Sequence, residues 1–75
     1  MTIRNRLPDL LKRHGLSAYR IEQELRGVVA RNSIYALARG ETKRIDLDTL
    51  DHVVRVLRRQ TGQPYNVGDV FDFEE

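Results

Sequence analysis

Residues 17–40, SAYRIEQELRGVVARNSIYALARG, decide how this chain folds. The stretch reads as two short helices around a tight turn. In the first, Ile21 and Leu25 fall i, i+4 on one face, and Ser17 supplies an N-cap hydroxyl. Arg20 is the third residue after Ser17, so a full capping box is absent. Arg26 and Gly27 end this helix. The second begins near Ala30 or Arg31 and closes at Gly40. Its period turns Val29, Ile34 and Leu37 inward and Arg31, Asn32, Ser33, Tyr35 and Arg39 outward.

The flanking sequence supplies support for that second helix. Leu7-Pro8 marks a helix start, because proline suits the first helical positions and disfavours helix in the residue before it. Helix 8–14 then carries Leu10 and Leu11 toward the core with Leu7, and Gly15 stops it. A longer helix over 47–60 has the clearest entry. Asp46 is its N-cap, Ile45 and Leu50 have the spacing of a hydrophobic staple, and Asp48 and Asp51 sit near the positive end of the dipole. Leu50, Val53, Val54 and Leu57 form its apolar stripe. After Gly62, Asn66 can cap a short turn over 66–69. Val70 to Glu74 then alternates in the manner of a strand. The extended segment 2–6 offers a partner, so a small two-stranded sheet is expected to join 2–6 to 70–74. The pairing could lie within one chain or across a dimer. Phe71 is expected in the core and Phe73 nearer an interface.

The expected fold is therefore mainly α: a compact domain of four to five helices, spanning 1–75, with helices at 8–14, 17–26, 31–39, 47–60 and 66–69 and one small sheet. Seventy-five residues suffice for one domain with a small, efficiently packed core. The 40% apolar and 32% charged content suits a folded chain rather than a disordered one. There is no cysteine, which removes disulfides and thiol-based metal or redox chemistry. No apolar run suits a membrane span or a signal peptide, which fits a cytoplasmic chain.

The net charge of +2 conceals an asymmetry. Up to Ile45 there are ten basic and four acidic residues, a balance of +6. From Asp46 on there are three basic and seven acidic residues, a balance of −4. Such polarity suits a protein that turns one face toward a polyanion. No constellation suggests catalysis. His14 and His52 lie far apart without a ligand-spaced carboxylate, Ser17 and Ser33 lack an activating neighbour, and there is no glycine-rich phosphate loop. No enzyme activity, metal or cofactor is expected.

The fragments LSAYRIEQEL, RNSIYALARGETK, RIDLDTLD and VGDVFDF together resemble a small stand-alone branch of the Cro/repressor-type helix-turn-helix family, the xenobiotic-response-element family. The likeness covers nearly the whole chain and is carried mostly by core and punctuation positions. It implies a lambda-repressor-like domain that binds double-stranded DNA as a transcriptional repressor, working as a homodimer without a small-molecule ligand. In that family the second helix of the motif lies in the major groove. Carried over by position, Arg31 and Asn32 lead the base contacts, followed by Ser33, Tyr35 and Ala36. Arginine pairs with guanine and asparagine with adenine in two-bond contacts. Ser17, Tyr19, Arg39, Thr42, Lys43 and Arg44 fall where the family meets phosphates.

One turn and three residues depart from the family pattern. The turn at 26–30 is one residue longer than usual. Ala30 replaces a capping serine, Glu22 replaces a small residue at the helix–helix approach, and Ala18 replaces a phosphate-binding glutamine. Tyr35 can meet a base or pack flat over the preceding helix. A second function also fits the same fold: a non-catalytic protein-interaction module, antitoxin-like or polymerase-associated, whose basic face docks an acidic partner.

Overall fold

Helix α1 (Leu7–His14) is the first of five helices in the computed structural model, which describes residues 2–41 and 44–74. The order is β1 (Thr2–Asn5), α1, α2 (Ala18–Glu24), α3 (Arg31–Ala38), α4 (Leu47–Thr61), α5 (Val67–Val70) and β2 (Phe71–Glu74). The protein is thus mainly helical, with one small antiparallel sheet.

α2 and α4 start at capping side chains, whereas α3 starts after Ala30 with no side-chain cap. Ser17 Oγ accepts the Arg20 N–H at 3.2 Å, and Asp46 Oδ1 accepts the Thr49 N–H at 2.6 Å. α1 begins at Leu7, one residue earlier than expected. Asn5 Oδ1 accepts the Leu7 N–H at 2.9 Å, so a side chain from the strand caps the helix that follows. α2 ends at Glu24 rather than Arg26. The carbonyl of Leu25 accepts from both Val28 and Val29, at 2.9 and 3.0 Å, and this closes a tight turn. Gly27 sits in that turn at φ +83°, a conformation that a β-carbon would strain.

The core combines one stripe from each helix. Leu7, Leu10 and Leu11 of α1 meet Ile21 and Leu25 from the α2 segment, Ile34 and Leu37 of α3, and Leu50, Val53, Val54 and Leu57 of α4. Val56 adds to the expected stripe and is fully buried. α4 packs against both α2 and α5, so it buries a wider arc than a helix resting on one neighbour. Ile45 is half-buried against the core beside Leu50, as a staple requires.

The sheet pairs within one chain. Its register sets Thr2 opposite Glu74, Ile3 opposite Phe73, Arg4 opposite Asp72 and Asn5 opposite Phe71. Val70, expected as the first strand residue, is instead the last residue of α5. It is fully buried, and its carbonyl accepts the Arg6 N–H at 2.7 Å. The cause is a complete capping box: Asn66 accepts from Gly68, and Asp69 accepts from the Asn66 backbone, which holds the helical turn one residue longer. Arg6 also grips Asp72 at 2.9 Å. Phe71 is half-buried against the core, whereas Phe73 and its partner Ile3 stay exposed.

The Thr49 N–H is the first reason that the Asp46 carboxyl titrates below its usual range. A carboxyl with a depressed folded pKa stabilises the fold above its unfolded pKa, and that contribution disappears as pH falls through the folded value. Asparagine caps helices as well as aspartate does but carries no such titration. Asp46→Asn should therefore leave the neutral-pH melting temperature nearly unchanged. Below about pH 4 its melting temperature should fall less steeply than that of the parent chain. Thermal melts followed by circular dichroism across that range check this.

Candidate nucleic-acid interface

α3 is held from behind by Ile34 and Leu37, both almost fully buried. A period of 3.6 residues then fixes what the other side shows. Arg31, Asn32, Ser33 and Arg39 are exposed, and Tyr35 and Ala36 are half-buried. Arg31, Asn32, Tyr35 and Arg39 line one shallow concavity on that outer side. A second cleft, of about 300 Å³, runs between α3 and the start of α4 and is lined by Asn32, Ser33, Ala36, Arg44 and Thr49 among others.

Tyr35, for which the sequence leaves both an outward and a packed position open, lines the outer concavity half-buried. Its ring lies beneath the Arg31 guanidinium, 5.3 Å from centroid to carbon, in a cation–π arrangement. Such a contact at an exposed site is worth about 0.5–1 kcal/mol. Tyr35 thereby narrows the directions in which Arg31 can point. Arg39 stands at the C-cap of α3 with Glu41 at 3.5 Å. On α2, Tyr19 is exposed, and its hydroxyl accepts from Gln23 Nε2 at 2.9 Å. Ser17 spends an acceptor on its own helix cap. Arg44 is exposed at the edge of the α3–α4 cleft, whereas Thr42 and Lys43 lie outside the described residues.

Three contacts escaped the sequence reading. Asn5 Nδ2 donates to the Leu37 carbonyl at 2.9 Å, so β1 adds a second donor to a carbonyl in the last turn of α3 that also accepts the Gly40 N–H. No pattern announces a bond across 32 residues. Glu22 is buried beneath the motif and accepts from Arg26 Nε and Nη2 at 3.3 and 3.0 Å. Here the i, i+4 spacing was a visible signal. His14 Nε2 lies 2.6 Å from the Tyr65 hydroxyl, with the rings edge to face. The last turn of α1 is thereby tied to the loop after α4.

The Arg26 hydrogen bond holds the Glu22 carboxyl below its usual pKa, and the Arg31 charge adds to the effect. Glu22 is therefore an anion at neutral pH. Among the described residues no buried side-chain polar atom lacks a hydrogen-bond partner, and no cluster of His, Asp and Glu could hold a metal. No helix among them is long and apolar enough to cross a membrane.

No family model, curated protein or solved structure matches the chain. The resemblance to the Cro/repressor-type family therefore rests on the residues quoted above alone.

Asn5 bonds at both ends of its amide, to α1 and to α3. Asn5→Ala should lower stability by about 1–3 kcal/mol, the cost of leaving half-buried groups unsatisfied. Amide exchange should rise in the last turn of α3 and the first turn of α1. Urea titration and hydrogen-exchange mass spectrometry check both.

Proposed function

We propose that the protein is a sequence-specific DNA-binding regulator, a repressor, that reads the major groove with α3. One observation carries the proposal: α3 keeps Ile34 and Leu37 in the core and leaves Arg31, Asn32, Ser33 and Arg39 exposed along a single outer side. Helices that enter a groove need a rigid back and a flank of hydrogen-bonding side chains. The cation–π contact with Tyr35 supports Arg31 as the leading base reader, because a preorganised guanidinium loses less freedom on binding a guanine edge. Asn32 is next to it on the exposed flank. Arg44 at the neighbouring cleft, and Arg39 at the far end of α3, suit phosphate contacts. Such a role would set the protein to work in the cytoplasm, on double-stranded DNA.

A dimer completes the reading. The ribbon leaves Ile3 and Phe73 side by side, 68% and 56% exposed, and exposed Val67 lines a groove with Ile3 and Phe71. Exposed apolar pairs on a two-stranded ribbon seek cover. A twofold partner there would put two copies of α3 on one side of the assembly. Successive major grooves would receive them roughly 34–36 Å apart.

Selection of bound sequences from a random duplex pool, followed by titration of the selected site, tests the proposal. A palindromic consensus is expected, with affinity falling steeply as salt rises. Arg31→Ala should cost about 1–3 kcal/mol on the selected site and relax preference at one base pair. Arg44→Ala should weaken selected and mixed sequences alike. Absence of duplex binding at low salt would discard the DNA reading in favour of a protein partner for the basic face.

A further inference from the structure

Tyr19, Glu22, Gln23 and Arg26 occupy one i, i+3, i+4, i+7 stripe of the α2 segment. Tyr19 and Arg26 are exposed, Gln23 is exposed and bonded to Tyr19, and Glu22 alone is buried, at 6%. Its two carboxylate oxygens take the Nε and Nη2 of Arg26 at 3.3 and 3.0 Å, the fork geometry that an arginine otherwise offers to a phosphate. Arg26 itself remains 65% exposed, on the same stripe as Tyr19 and at the entrance to the turn that leads to Arg31.

The geometry points to Glu22 as a specificity-determining residue: its buried carboxylate takes the Nε–Nη2 edge of Arg26 and competes with phosphate for that guanidinium. The inference rests on the DNA reading above. A free arginine at the edge of the motif would bind any duplex, whatever its sequence, and would raise the non-specific background more than it raised discrimination. Tying it to a buried anion weakens that contact and leaves a compensated pair beside α3. Burial matters here. An exposed partner would exchange readily for a phosphate, whereas Glu22 cannot follow Arg26 outward and would be left as a buried charge without its partner.

Salt titrations of Glu22→Gln, Arg26→Gln and the double variant test this, with a mixed-sequence duplex and the selected site, read by fluorescence anisotropy. Glu22→Gln should bind mixed-sequence duplex about five- to tenfold more tightly near 0.1 M salt, and the slope of log K against log salt should steepen by about 0.9, one phosphate's worth. Its preference for the selected site should shrink. Arg26→Gln should leave the slope unchanged, and the double variant should lose the gain. An Arg26→Gln slope shallower by about 0.9 would show Arg26 already on a phosphate and overturn the proposal. Parallel loss of both affinities in Glu22→Gln, with a lowered melting temperature, would overturn it in favour of a purely structural role. If Glu22→Gln does not fold, the Arg26→Gln slope alone decides. Absence of duplex binding by the parent chain would remove the DNA reading and this inference together. Parent binding that Arg31→Ala relaxes, with an unchanged Glu22→Gln slope, would remove only the inference.

Discussion

Two aliphatic side chains, Ile34 and Leu37, set the orientation of α3, and most of the molecule is arranged to receive them. They are one turn apart, so together they fix both the position and the rotation of an eight-residue helix. A helix this short has little stability of its own in water. Its shape is imposed by the layer behind it, built from α1, α2 and α4. The consequence is a division of labour along a single element. One side supplies packing energy, and the other is left to vary without cost to the fold.

Much of that arrangement was legible in the residues. The Asp46 cap, the Ile45–Leu50 staple and the alternation near Phe71 each have a local physical cause, and a local cause can be read from a short window. The pairing expected of 2–6 with 70–74 is found between Thr2–Asn5 and Phe71–Glu74, and it needed only the recognition that two extended segments lacked partners. What escaped depended on three-dimensional context. Val56 is buried because α4 has neighbours on more than one side, and periodicity alone cannot count neighbours. Val70 belongs to α5 because the Asn66–Asp69 box outlasts the strand pattern by one residue.

The outer side was legible in outline and less so in detail. The residues read as outward at 31, 32, 33 and 39 are exposed. Tyr35 is drawn partly inward, since a large ring beside a guanidinium gains more by lying under it than by extending into water. Glu22 looked like an obstacle to close helix approach. It is instead accommodated, because Arg26 neutralises it at a spacing that the helix itself provides. A buried charge beside α3 is thus held by a partner on its own helix segment.

The ribbon of β1 and β2 has a kinetic corollary. Arg6 and Asp72 stand 66 positions apart, so their bridge closes almost the largest loop this polypeptide can make. The helices, by contrast, are assembled from contacts between near neighbours, which form early. Loop closure thus makes the pairing of the two strands the most costly in chain entropy. Through the Asn5 amide, each opening of that pairing would remove one of the bonds that hold the trailing end of α3. The firmness of that helix is thus tied to a ribbon formed by the two ends of the described chain.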